Sequence, residues 1–176
     1  KYHAEIARYL VEHPGVKLAF QPGTFQMQIP IDEIRDLYKR TEIFFCNKEE
    51  AQRILKTDES DIKKLLSAMR ALGPAVAVVT DGRNGAYLMS EEGAWFAPMY
   101  PDPAPPISRT GAGDATASTT VAYILLGLPP QEALLRGLIN AMSVVQQIGA
   151  QKGLLSVVEI DAWYAKRPVD FVAKAI

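Results

Sequence analysis

Residues 110–114, with the sequence TGAGD, combine residue types and a spacing that could support chemistry. They follow a proline-rich loop and lead into a long apolar run at residues 115–126. A turn with two glycines that opens a helix leaves the first backbone N–H groups without helical partners, and these donors, together with the positive end of the helix dipole, favour an anion. The segment therefore predicts an anion-binding turn at the start of a helix, with Gly111, Ala112 and Gly113 as its backbone donors.

Asp114 places a carboxylate beside this turn. A carboxylate repels a resting phosphate, so the pairing indicates catalysis, in which backbone donors stabilise an oxyanion and Asp114 acts as a base. The other interpretation is an aspartate that only caps the helix. Residues 110–114 alone do not decide between the two, because short glycine motifs are frequent in unrelated proteins.

Two more motifs precede this turn. Residues 47–50 (NKEE) give the pattern N-x-x-E, and residues 79–86 (VTDGRNGA) contain T-x-G-x-x-G. Together with residues 108–114 (SRTGAGD), in this order, they resemble the ribokinase-like (PfkB) family of sugar and nucleoside kinases, whose second signature reads D-T-x-G-A-G-D. The resemblance covers nearly all of the chain, but it is a resemblance to only the C-terminal part of a family member.

The resemblance implies a ribokinase-like three-layer α/β/α fold with a mainly parallel sheet, in a single α/β domain at 1–176 that lacks the family's N-terminal part and lid. The residue pattern agrees, because helical and strand patterns alternate along the chain. Residues 75–79 (AVAVV) are typical of a parallel strand buried on both faces. The spacing also predicts a long helix at 131–148 that ends at Gly149.

The activity implied by the resemblance is that of an ATP-dependent kinase that phosphorylates a CH2OH hydroxyl of a sugar or sugar-like substrate. Asp114 would take the hydroxyl proton, and Gly111, Ala112 and Gly113 would hold the transferring phosphoryl group. Most sugar contacts of the family lie in the half that this chain lacks. Since binding of the non-reacting part of a substrate positions the reacting group, we expect poor turnover by this chain alone.

ATP and Mg²⁺ are the cofactors that the resemblance implies. Asn47 and Glu50 would act near Mg²⁺ and the phosphates, mostly through water, because Mg²⁺ usually keeps several waters. Thr80 and Gly82 would lie where the nucleotide passes a strand end, and Gly85 would serve the next turn. The alternatives are structural: a helix cap for Asn47, a solvated carboxylate for Glu50 and a simple β-turn around Gly82.

Asn140, Ser143 and Gly149 fall in the region that resembles the family's adenine-side helix and loop, although this helix is also plausible as core packing. The signature's leading aspartate is replaced by Ser108. In the family that stretch contributes to a monovalent-cation site, so the loss of the carboxylate makes K⁺ activation doubtful. Arg109 offers positive charge near the phosphates or simply faces solvent.

Composition excludes several classes of function. The 176 residues are 48% hydrophobic and 22% charged with a net charge of −1, and no basic stripe is available for nucleic acid. No apolar run is long and unbroken enough to cross a membrane. Cys46 is the only cysteine, which suits a reducing cytosol, so we expect a cytoplasmic protein with a buried thiol. Surface normally covered by the absent half would be bare, and we therefore expect self-association, for instance as a homodimer.

Two other classes of function compete with the kinase. A nucleotide-binding module without catalysis, or an assembly partner of another chain, would explain the absence of a sugar-binding half. A dinucleotide-binding oxidoreductase also has glycine turns after strands. That fold requires G-x-G-x-x-G after the first strand, and the chain lacks it there.

Overall fold

Helices and strands alternate along residues 2–176, the part of the chain that the computed structural model describes. The helices are α1 Tyr2–Glu12, α2 Ile31–Arg40, α3 Lys48–Leu55, α4 Ile62–Ala71, α5 Ala112–Leu125, α6 Pro130–Val144 and α7 Val157–Ala165. The strands are β1 Leu18–Phe20, β2 Thr41–Asn47, β3 Val76–Thr80, β4 Ala86–Ser90, β5 Gly93–Ala97 and β6 Lys174–Ala175. This alternation confirms the predicted α/β class.

The strands form a mixed six-stranded sheet in the order β1-β2-β3-β4-β5-β6. Strand β2 is parallel to both β1 and β3, whereas β6 is antiparallel to β5. In the β2–β3 register Asn47 lies opposite Thr80, so two residues predicted for the nucleotide site end neighbouring parallel strands. Ligands of open α/β sheets bind beyond such carboxyl ends.

Residue contacts divide the described chain into two compact units, residues 2–81 with 87–94 and residues 82–86 with 95–176. In the first unit, strands β2 and β3 bury their side chains among α2, α3 and α4. The fully or almost fully buried residues here include Phe44, Ala51, Leu65, Leu66, Met69, Ala77 and Val79. Cys46 is also buried, which confirms the predicted core thiol. The prediction of one domain at 1–176 stays a prediction.

In the second unit, α5 and α6 pack closely. Gly137 of α6 lies against α5, where a Cβ at this position would meet the Thr116 carbonyl oxygen at 2.6 Å and would also meet the Thr120 hydroxyl. Thr120 itself donates to the Thr116 carbonyl at 2.7 Å. Helices α5 and α6 therefore contact each other at backbone distance, through Gly137 of α6 and the segment Thr116–Thr120 of α5.

The predicted helix at 131–148 extends too far, because α6 ends at Val144. The amides of Ile107 and Ser108 both donate to the Val145 carbonyl, at 2.8 and 3.2 Å. Beyond Val144 the Gln146 and Gln147 amides make turn-type bonds to residues three positions back, so the chain has already left the helix before Gly149.

Helix α7 was not located from the sequence, although its start carries a readable signal. Ser156 and Glu159 form a capping box, in which the Ser156 hydroxyl accepts from the Glu159 amide and the Glu159 carboxylate accepts from the Ser156 amide. The Tyr100 hydroxyl donates to the Trp163 carbonyl at 3.3 Å, and the Tyr100 ring packs edge-on against Phe171. These contacts show that the C-terminal residues 163–171 pack on Tyr100, a position that could not be predicted from the sequence. Among residues 2–176, no helix combines the length and apolar character needed to cross a membrane.

Candidate active-site residues

The TGAGD turn opens α5 as the glycine pattern predicts. Gly111 is the N-cap residue with φ 85°, a left-handed conformation that favours glycine, and it makes no side-chain cap hydrogen bond. The first helical bond runs from the Ala115 amide to the Gly111 carbonyl at 2.8 Å. The Ala112 amide has only a long bond of 3.3 Å to the Arg109 carbonyl. Gly113 is exposed in the first turn. Because the N-cap residue is a glycine, no side chain caps the start of α5, where an anion could bind.

Asp114 is exposed in the first turn of α5, two residues into the helix from Ala112. It does not occupy the N-cap position, because Gly111 does. The Asp114 carbonyl accepts a hydrogen bond from the Ser118 hydroxyl at 2.7 Å within the helix. An exposed carboxylate in this position is accessible to a ligand held at the helix start. The roles of Gly111, Ala112, Gly113 and Asp114 in catalysis stay predictions.

The loop after α6 packs directly on this turn. A Cβ at Gly111 would lie 2.7 Å from both the Cα and the Cβ of Ala150. The segment that leads into the turn is also held by a residue after α6, because the amides of Ile107 and Ser108 donate to the Val145 carbonyl. Residues that follow α6 therefore fix the backbone at two places, Val145 holding the segment before the turn and Ala150 contacting Gly111 itself.

Asn140 is buried, with 4% of its surface exposed. Its Nδ2 donates to Thr119 Oγ1 at 2.7 Å, and its Oδ1 accepts from the Leu155 amide at 2.9 Å. Both polar ends of the side chain therefore have protein partners, which favours the packing interpretation over direct contact with adenine. Ser143 is half-buried near the end of α6, and Gly149 is exposed with φ 97°. Their contacts with a nucleotide stay predictions.

Sequence reasoning missed two residues of this loop, Ala150 and Gly153. A Cβ at Gly153 would lie 2.5 Å from the Ser143 carbonyl oxygen and 2.8 Å from the Val144 Cα, so the loop contacts the end of α6 at backbone distance. The available signal was the spacing of Gly149 and Gly153 around a short polar stretch, which is typical of a tight turn.

In the other unit, Asn47 and Glu50 contact each other. The Asn47 Oδ1 accepts from the Glu50 amide and the Glu50 Oε2 accepts from the Asn47 amide, both at 2.8 Å, which completes a capping box at the start of α3. The predicted capping role of Asn47 is confirmed.

Burial, and then the negative charge of Glu50, raises the pKa of the Cys46 thiol. Thr80 is half-buried at the end of β3, next to Asn47 in the register.

Gly82 begins a short 3-10 turn, Gly82–Asn84, and Gly85 follows this turn directly. Gly82 has φ 53° and open space around it, so a ligand can approach its backbone. Gly85 has φ 103°, and a Cβ there would lie 2.5 Å from the Ala97 carbonyl oxygen. Gly85 is therefore required by packing, whereas nothing in its surroundings restricts Gly82 except its backbone conformation.

Ser108 accepts a hydrogen bond from the Thr110 amide at 3.3 Å, and Arg109 is exposed. Within residues 2–176, no group of three or more His, Cys, Asp or Glu side chains is placed to hold a metal ion.

Comparison with known proteins agrees with the three motifs. Residues 12–156 match the pfkB family of carbohydrate kinases. The chain belongs to this family. A curated relative, the cytidine kinase of Thermococcus kodakarensis, is 30% identical over 118 residues, which are 67% of this chain and 42% of that protein. The matched part of this pfkB chain therefore covers less than half the length of this relative.

Solved structures show the same fold. The nucleoside kinase of Methanocaldococcus jannaschii, an archaeal member of the ribokinase family, matches with a TM-score of 0.74 and 22% identity, over 86% of this chain and 48% of its own. The ribokinase of Arabidopsis thaliana complexed with ribose and ATP matches with a TM-score of 0.79 and 21% identity, over 92% of this chain and 51% of its own. The predicted ribokinase-like fold is confirmed, and this pfkB chain spans about half of each structure.

Proposed function

We propose that this chain is the nucleotide-binding and catalytic part of an ATP-dependent kinase that phosphorylates a CH2OH hydroxyl of a sugar or sugar-like substrate. Asp114 is its base, and the backbone at Gly111, Ala112 and Gly113 is its anion hole. Membership of the pfkB family supports the reaction class. The observation that carries the assignment is the exposed Asp114 carboxylate in the first turn of a helix whose N-cap glycine provides no side-chain cap.

Phosphoryl transfer requires little covalent help from the protein. The acceptor hydroxyl must be aligned, its proton removed and the charge on the moving phosphoryl group balanced. Backbone N–H groups at the start of α5 stabilise the negative charge on the phosphoryl group. They do so without a cationic side chain, because the positive end of the helix dipole adds to their effect. Asp114 lies within the same first turn and accepts the proton as the hydroxyl oxygen attacks. The close packing of Gly111 against Ala150 keeps these donors rigid, as positioning of the reacting groups demands.

Mg²⁺ fits the chemistry of Glu50. This residue supplies carboxylate oxygens, and its orientation is fixed because Oε2 accepts from the Asn47 amide. Mg²⁺ keeps most of its waters in such sites, so Glu50 would hold it through water and Asn47 would hold Glu50 in place. When bound, the ion neutralises phosphate charge. One similar solved structure, of a protein from E. coli proposed to be a ribokinase II, is a complex with ATP and Mg²⁺. This complex supports ATP and Mg²⁺ as the cofactors of this chain. The contacts of Thr80, Gly82, Gly85, Ser143 and Gly149 with the nucleotide belong to the same proposal.

The experiment measures ADP formation from Mg-ATP by the chain, with ribose and cytidine as the first acceptors. The two acceptors are chosen because ribose is bound in the Arabidopsis ribokinase structure and cytidine is named in the Thermococcus relative. Both carry a CH2OH group on a five-membered sugar ring, ribose in its furanose form. Acceptor-dependent ADP formation that disappears in Asp114→Asn, with Mg-ATP binding retained, is the expected result.

Asp102→Asn is the matched control, because Asp102 is another exposed aspartate of the same unit and lies in the loop before the turn. We expect it to retain full activity. Equal loss in both variants, or full activity in Asp114→Asn, would remove Asp114 from the role of base. Calorimetric titration with Mg-ATP separates loss of binding from loss of chemistry in each variant.

A second candidate is a nucleotide-binding part that does not turn over alone. The observation in its favour is length, because the chain spans 42% of the cytidine kinase and about half of the solved structures. This candidate predicts binding of Mg-ATP without phosphorylation of any sugar. It is rejected if the isolated chain forms a sugar phosphate. Self-association of the chain is part of the same candidate and is tested by sedimentation, where a strictly monomeric profile at high concentration would contradict it.

A further inference from the structure

The side chain of Asn140 joins three segments of the second unit. From its position on α6 it donates to Thr119 on α5 at 2.7 Å and accepts from the Leu155 amide at 2.9 Å. Only 4% of the residue is exposed, so neither bond competes much with water. A buried amide whose donor and acceptor are both used specifies one arrangement of the groups it links.

The segment that Asn140 holds continues to the TGAGD turn. Two residues before Leu155, Gly153 contacts the end of α6 so closely that a Cβ would lie 2.5 Å from the Ser143 carbonyl oxygen. Three residues earlier, Ala150 lies against Gly111, the N-cap of α5. Residues 150–155 therefore connect the Asn140 side chain to the glycine that sets the backbone of the turn.

The other arm of Asn140 reaches the body of α5. Thr119 lies on the helix that the TGAGD turn opens, and it is buried like Asn140. Gly137, one turn before Asn140 on α6, packs on Thr116 of α5. The Asn140 amide thus bonds both to α5, which the TGAGD turn opens, and to the loop 150–155, which contacts Gly111. A shift of either segment would move the backbone donors of the turn.

We propose that Asn140 is a positioning residue, whose amide fixes residues 150–155 against Gly111 and thereby holds the backbone donors of the TGAGD turn in place for a phosphoryl group. The purpose of this arrangement rests on the proposed kinase function. The arrangement itself does not, and the two parts are tested by different measurements. Asn140 touches no reacting atom in this role.

The main experiment compares Asn140→Leu with Thr119→Val by amide hydrogen exchange and NMR. Leucine has a similar shape but offers the Leu155 amide no acceptor, so we expect exchange at Leu155 to accelerate by roughly tenfold or more, as loss of one buried hydrogen bond allows. We also expect the Gly111 and Gly113 amide resonances to shift. Valine at 119 removes only the helix arm, so exchange at Leu155 should change much less.

Rescue by a conservative variant separates the hydrogen bonds from simple core packing. Asn140→Asp at pH 5 places a carboxyl in the same buried space, where burial favours its neutral form. A neutral carboxyl can donate to Thr119 and accept from Leu155, as the amide does. We expect it to restore slow exchange at Leu155 and the native Gly111 resonance. This variant, together with Thr119→Val, keeps the test decisive if Asn140→Leu does not fold.

Calorimetry with Mg-ATP tests the functional consequence. In a folded Asn140→Leu protein we expect affinity to fall by roughly tenfold, while Thr119→Val changes it less. The proposal is overturned if Asn140→Leu leaves the Gly111 resonance unmoved, or if both variants accelerate exchange equally across the whole unit. If the unchanged chain does not bind Mg-ATP, the proposed function fails for this chain. In that case the Leu155 and Gly111 measurements still decide whether Asn140 positions the turn.

Discussion

Gly111 and Ala150 are in contact at backbone distance, since a Cβ added to Gly111 would lie 2.7 Å from the Cα of Ala150 and 2.9 Å from its carbonyl oxygen. This contact leaves no room for a side chain. Gly111 also has φ 85°, so two independent constraints require glycine there. The loop after α6 and the start of α5 therefore depend on each other through one residue.

Gly111→Ala should destabilise the chain and weaken binding of Mg-ATP. The left-handed backbone costs an alanine about 1–2 kcal/mol, and the contact with Ala150 adds about 1–3 kcal/mol of overpacking. Gly127→Ala is the matched control, because Gly127 has φ 94° with nothing within 4 Å of its Cβ position. Chemical denaturation measures both. Equal free energies of unfolding for the two variants would show that the Ala150 contact relaxes at little cost.

Glu50→Gln should separate the capping role of this residue from its proposed role near Mg²⁺. Glutamine can still accept from the Asn47 amide, so the free energy of unfolding should change little. Loss of the negative charge should weaken Mg-ATP binding by roughly tenfold, the lower end of what loss of a metal's outer partner costs. Calorimetry with and without Mg²⁺ measures this effect.

Two controls accompany Glu50→Gln. Glu49→Gln changes an exposed neighbouring carboxylate in the same first turn of α3 and should leave affinity unchanged. Asn47→Ala removes the cap itself and should cost about 1 kcal/mol of stability. If Glu50→Gln weakens ATP binding equally with and without Mg²⁺, Glu50 does not act on the ion.

Elements with a strong local signal could be predicted closely from the sequence. The helix Lys48–Leu55 follows a residue that caps it, and four of the five residues of β3 are β-branched, so local chemistry sets both. The end of α6 could not be predicted, because the Val145 carbonyl is taken by Ile107 and Ser108, nearly forty residues earlier in the chain. Local periodicity contains no information about such a bond.

The candidate site divides in the same way. A glycine pair before an apolar run was enough to predict the start of α5 and the position of Asp114 in its first turn. The packing of Asn140 and the contact of Ala150 with Gly111 depend on how α6 and its loop return to α5. From the sequence alone, a polar residue within a helix can equally be a ligand-binding residue or a residue that makes buried hydrogen bonds inside the protein. Only its hydrogen-bond partners in the structure distinguish the two.

The Cys46 thiol should resist alkylation in the folded chain. Its surface is 4% exposed, and burial together with the charge of Glu50 raises its pKa, so almost no accessible thiolate exists at neutral pH. Labelling with a thiol reagent should therefore be slow and should accelerate steeply across the urea unfolding transition. Free glutathione under the same conditions is the control for the reagent. Fast labelling that is independent of urea would mean that Cys46 is accessible in the native state.

The capping box of α7 predicts a specific dependence of stability on acid. Hydrogen bonds from the Ser156 hydroxyl and the Ser156 amide lower the pKa of Glu159 below its ordinary value of 4.5. A carboxylate with a lowered folded-state pKa stabilises the fold at pH values above the unfolded-state pKa. That stabilisation is lost as the pH falls below 4.5 through the folded-state value.

Glu159→Gln should therefore lower the melting temperature at pH 7, and this difference from the unchanged chain should shrink as the pH falls below 4.5. Glutamine can still accept from Ser156 but never carries the charge, so the two proteins become alike once Glu159 is protonated. Thermal melts followed through Trp163, which lies in α7, measure the effect close to the change. Glu91→Gln, in the exposed turn between β4 and β5, is the control. A difference that stays constant from pH 7 to pH 3 would mean that the charge of Glu159 does not stabilise α7.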